Sequence, residues 1–102
     1  FSFAEVSATP DLYRGVYVRW SGRVANLSIG EEAITFDFLV GYEDGRILDG
    51  IVPVRVPFAV VIDNGHSVEL IGRIVPTPEA DSPFLLEVGS IRRLSNGNGA
   101  GS

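Results

Sequence analysis

The chain has 102 residues, no cysteine and a net charge of −5. That is the size of one domain, long enough to bury roughly 60–70% of its unfolded surface without a disulfide or metal staple. Lack of cysteine excludes disulfides, thiolate zinc sites and a cysteine nucleophile, and the acidic balance argues against nonspecific binding to a phosphate backbone.

All eight basic residues are arginine. This is open between codon bias in a GC-rich genome and selection for planar, bidentate anion contacts. No apolar run reaches the ~18 residues that a membrane-spanning helix needs, and no signal peptide is evident. The chain begins with Phe1 rather than methionine, as expected of a mature or excised fragment.

The opening Ser2–Glu5 has capping-box spacing, and Thr9-Pro10-Asp11 offers a cap followed by proline at a first helical position. One or two short helical turns are expected, with Phe3, Val6, Leu12 and Tyr13 packing as one apolar side. From Gly15 the period becomes two. Val16, Val18, Trp20 and Val24 alternate with Tyr17, Arg19, Ser21 and Arg23, as in a half-buried strand. Gly22 falls in the inward register, where a missing side chain permits a bend or a close backbone approach. A loop is expected over Ser28–Glu32, then a second strand in which Ile34, Phe36, Phe38 and Val40 face inward. Asp44-Gly45 is a hairpin signal. Ile51–Val56 reads as a third strand, and its Pro53 favours an edge or a bulge. Asp63-Asn64-Gly65 turns the chain into a fourth strand with Val68, Leu70 and Ile74 inward and Gly72 placed like Gly22. A proline-rich loop, Pro76–Pro83, precedes a last strand over Phe84–Leu94. The final stretch after Leu94, SNGNGAGS, reads as a flexible tail or linker, which leaves a folded domain over residues 1–94.

Five strands with glycine kinks suit an all-β, five-stranded OB-like Greek-key barrel with a short N-terminal helical segment. Pro57–Gly65 has room for one helical turn at most between strands three and four. The alternative is a six-stranded barrel or sandwich with Phe58–Ile62 as an extra strand.

In this register the outer face carries Tyr17, Arg19, Arg23, Arg55 and Arg73, while most carboxylates fall in turns. These five are the candidate ligand-binding residues: an arginine strip with one stacking ring, suited to single-stranded nucleic acid or another anionic ligand. The competing reading is a solvated barrel face, with Arg19 paired to Asp37 and Arg73 to Glu69 or Glu87. Trp20, Phe36 and Phe38 point inward, so few aromatics besides Tyr17, Tyr42 and Phe58 are left for stacking.

His66 is the sole histidine and follows a turn, so a hairpin role is expected. Glu31-Glu32 and Glu43-Asp44 match no EF-hand loop. No nucleophile elbow and no phosphate-cradling glycine loop is present. No catalytic constellation, metal or cofactor is expected.

The segment SFAEVSATPDLYRGVYVRWSGRVA resembles the start of the bacterial starvation-inducible outer-membrane lipoproteins, through Phe3, Val6, Pro10, Tyr13, Gly15, Val18, Arg19, Trp20 and Gly22. Gly65-His66-Ser67-Val68 leading to Gly72 is similar to that family's last strand. The shared spacing Gly-x-x-Val-x-x-x-Gly, at Gly15 and again at Gly65, is similar to tRNA-anticodon-like OB modules. The resemblance implies a noncatalytic binding or interaction module in the bacterial cell envelope or periplasm. The family's lipid-bearing cysteine would have to precede Phe1. An unknown protein or anionic ligand is the expected partner, nucleic acid is the alternative, and oligomerisation through strand edges is a third possibility.

Overall fold

The computed structural model describes residues 1–43, 46–78 and 80–94. The expected tail, 95–102, and the Asp44-Gly45 turn lie outside the described residues. A short helix α1 (Phe3–Ala8) and a 3-10 turn (Pro10–Tyr13) precede five strands: β1 (Tyr17–Ile29), β2 (Ile34–Glu43), β3 (Arg46–Val56), β4 (Ser67–Pro76) and β5 (Phe84–Arg93). The strands close into one barrel in the order β1-β2-β3-β5-β4. All neighbours are antiparallel except β3 and β5, which run parallel.

Alternation builds the core. Val18, Val24, Phe36, Phe38, Val52, Val54, Leu70, Ile74, Phe84 and Leu86 are buried inside the barrel. Strand β1 serves two partners: its first half pairs with β4 over Tyr17–Arg23 and its second with β2 from Gly22 onward. Gly22 belongs to both ladders, opposite Val40 and Val68. A β-carbon there would collide with the Leu39 carbonyl. The close approach expected of this glycine is therefore what lets one strand turn the barrel's corner.

Helix α1 opens with the expected capping box: Ser2 Oγ accepts from the Glu5 amide at 3.1 Å and Glu5 Oε1 from the Ser2 amide at 2.8 Å. The latter contact, first of all, holds the Glu5 carboxyl below its ordinary value. The helix buries Val6 and sets Phe3 against Trp20, Phe84 and Gly50. Trp20 Nε1 donates to the Phe1 carbonyl at 2.9 Å. Leu12 does not join this side. It is 76% exposed, because the 3-10 turn rotates it outward while Tyr13 packs inward.

Other differences are local. Strand β1 runs on to Ile29 through part of the expected loop, across a bulge between Ala25 and Ser28. Strand β3 starts at Arg46 rather than Ile51. The segment from Pro57 to His66 contains neither helix nor strand, so the sixth strand is absent, and the segment instead buries Ile62 and packs Val60 against the core. The barrel is closed, although β3 meets β5 only at Val54 and Arg55. Pro53 lies one residue outside that seam, where its missing N–H costs β5 no bond.

Candidate functional site

Two of the predicted arginines converge on a carboxylate. By register, Tyr17, Arg73, Glu87, Arg55 and Thr35 form one outer row across β1, β4, β5, β3 and β2. Arg73 donates to Glu87 Oε1 at 2.6 Å and Arg55 to Oε2 at 2.7 Å. The Arg73 hydrogen bond, followed by the charges of both guanidiniums, holds the Glu87 carboxyl below the usual carboxylate value and outweighs the opposing effect of burial. The same bond raises Arg73. Tyr17, 60% exposed, extends its ring toward Gly89. The row is a clamp across the parallel seam.

The other two arginines lie elsewhere. Arg19 is exposed opposite Ile71 and does not meet Asp37. Arg23 is half-buried, with its guanidinium carbon 4.1 Å from the centre of the Tyr42 ring. Gly41, in left-handed conformation (φ 71°), carries a register shift between Val40 and Tyr42 that turns this ring to the outer face. Of the two partners expected for Arg73, Glu87 is the one it takes, and Glu69 pairs with Arg92 at 2.9 Å instead.

A concave surface lies instead across β2 and β3 and under the β4–β5 loop. One hollow of ≈ 300 Å³ is lined by Asn26, Thr35, Asp37, Pro53, Arg55 and Leu85 among others. A second of ≈ 470 Å³ is lined by Asp37, Ile51, Pro53 and Ala80 with Asp81, Ser82 and Pro83. They share Asp37 and Pro53, which face each other across the β2–β3 ladder. The bulge in β1 organises this floor. Asn26 sits there with φ 53°, a conformation asparagine tolerates better than most residues, and its amide donates to Asp37 Oδ2 at 2.8 Å. The neighbouring Leu27 amide is held by Asn64 Oδ1 at 2.8 Å. In the loop, Thr77 Oγ1 donates to the Ser82 carbonyl at 2.6 Å, and the Thr77 amide to the Pro83 carbonyl at 3.0 Å.

Sequence reasoning placed Asp37 on the outer face and Pro53 in β3 but assigned neither to a site. Asn26 carried no signal, because its role depends on a backbone conformation. His66 is engaged in its own turn, its Nδ1 accepting from the Asp63 amide at 3.0 Å. Among the described residues no group of three histidines or carboxylates is gathered as metal ligands, and no helix is long and apolar enough to cross a membrane.

Solved structures share this architecture. A replication protein A heterotrimer bound to ssDNA is similar over 82% of this chain and 61% of that one, with 22% identity and a TM-score of 0.61. Asparaginyl-tRNA synthetase from Pyrococcus horikoshii is similar over 81% of this chain and 20% of that one, with 19% identity and a TM-score of 0.62. The chain thus spans less than two thirds of either relative, and at such identities the likeness is one of fold. No curated protein matches the sequence. A family model does match, over residues 1–91, and with the five-stranded barrel it establishes that the chain belongs to the Spirochaete C-terminal OB fold family.

Proposed function

We propose that this domain is a noncatalytic binding module of a bacterial cell-envelope protein, with the groove across β2, β3 and the β4–β5 loop as its working surface. The observation that carries this reading is the meeting of two hollows at Asp37 and Pro53, on the strands and loop that OB barrels commonly use for ligands. The resemblance of the opening segment to outer-membrane lipoproteins supports the envelope location. Amide spectra of the labelled domain, recorded against a panel of short peptides and oligonucleotides, test the groove. Shifts are expected at Asp37, Ile51, Val54 and Ser82. Shifts confined to other faces, or none with any probe, overturn the reading.

A second reading is single-stranded nucleic-acid binding. It is favoured by the Arg23–Tyr42 stack beside this face and by the ssDNA bound to one structural relative. It predicts affinity for labelled oligonucleotides that falls steeply with salt and is lost in Arg23→Ala. A flat titration at low salt removes it.

A further inference from the structure

We infer that the groove takes an extended polypeptide segment in which cationic side chains flank an apolar one. The inference rests on the groove being the working surface, and it concerns what that surface selects.

The outer face of β3 presents Asp49, Ile51 and Pro53, alternating with the buried Val52 and Val54. On β2, Leu39 stands opposite Ile51 and Asp37 opposite Pro53. Asp81 lies on the loop that forms the far wall. An apolar strip of Leu39, Ile51 and Pro53 is thus bordered by three carboxylates. Ile51 is 51% exposed and lines the larger hollow together with Pro53.

The arginines near this strip are occupied. Arg55 is hydrogen-bonded to Glu87, and Arg23 lies over Tyr42. Asp37 takes its hydrogen bond from a neutral amide, Asn26, which positions the carboxylate without cancelling its charge. A phosphate chain laid along this strip would meet three like charges, whereas a lysine or arginine would meet complementary ones.

The backbone adds the second half of the argument. Strand β3 is paired with β2 along its length, but its ladder with β5 begins only at Val54. Residues Ile51–Pro53 and the loop from Ala80 to Pro83 therefore form an open fork just before the seam, and the larger hollow lies in that fork. A strand side outside any ladder is matched by another extended chain, which supplies main-chain bonds while alternate side chains reach the strip. A small cation would use the carboxylates and leave the strand side and Ile51 unmatched.

Three short peptides with one alternating Val/Leu framework, carrying arginine, glutamine or glutamate at the intervening positions, test this by amide spectra of the domain. The arginine peptide is expected to shift Asp37, Ile51, Val52 and Ser82, and the glutamate peptide to leave them unmoved. The double variant Asp37→Asn with Asp81→Asn keeps the fold, as its spectrum will show, and binds the arginine peptide about five- to tenfold more weakly. Equal binding of all three peptides, or shifts on another face, overturns the inference. If an oligonucleotide moves the groove residues and the arginine peptide does not, the groove remains the working surface and the inference alone fails. If neither moves them, both fail.

Discussion

A β-carbon at Gly22 would enter the Leu39 carbonyl, whereas one at Gly72 would stand 3.2 Å from the Leu86 β-carbon. The two glycines look alike in the sequence, each inward on a long strand. The first overlaps a backbone carbonyl outright, whereas the second is a tight contact that a shift of a few tenths of an ångström relieves. Gly22→Ala is expected to cost about 2–3 kcal/mol, and Gly72→Ala clearly less, in urea unfolding followed by circular dichroism. Equal effects would mean that the corner of β1 relaxes more easily than its two ladders suggest. The inward register of Gly22 was legible from alternation, but the difference between the two positions was not, since it depends on which partner atom lies opposite.

Among the elements, α1 is the one whose stability is least its own. Six residues are too few for a helix to persist in isolation. It is held by the Ser2–Glu5 box and by burial of Val6 and Phe3. The sole tryptophan, Trp20, reports on this docking because it touches both the Phe3 ring and the Phe1 carbonyl. Ser2→Ala is expected to cost about 1 kcal/mol and to redden Trp20 emission before global unfolding. An unchanged emission maximum through the early part of a denaturant titration would show that the helix stays seated without its cap. The box was readable because its spacing is local. The outward turn of Leu12 was not, because a 3-10 turn advances each residue further round the axis than an α-helix does. The extension of β1 past Ala25 was hidden for a related reason: the bulge at Asn26 breaks the alternation on which strand reading depends.

For the whole molecule, the parallel β3–β5 seam closes the barrel, and Glu87 binds an arginine from each side of it. Alternation assigned Arg55 and Arg73 to the outer face, but no local pattern says that β3 and β5 are neighbours. Glu87 was one of two partners the sequence offered for Arg73, but its sharing with Arg55 emerged only with the topology, and so did the fork that forms the groove. Glu87 has a folded pKa below its unfolded value. Its contribution to stability is therefore complete above the unfolded value of about 4.3 and is lost as pH falls from there through the lower folded value. Glu87→Gln is expected to be less stable than the parent at pH 7, with the gap closing as the pH is lowered through that window. Urea midpoints at several pH values check this, and a gap that stays constant down to pH 2 would assign the effect to packing rather than charge.

The shortness of that seam also bears on how the barrel assembles. β2 and β3 are adjacent in sequence and can form a hairpin early, as can β4 and β5, whereas the β1–β4 ladder and the β3–β5 seam must each close a long loop before they meet. Of these two long-range junctions the parallel seam is the one expected to breathe open first, since only two residue pairs join it. Such breathing would widen the fork beside Ile51 without disturbing the antiparallel ladders. The line where the barrel is weakest is thus also the line along which a strand-like guest can enter.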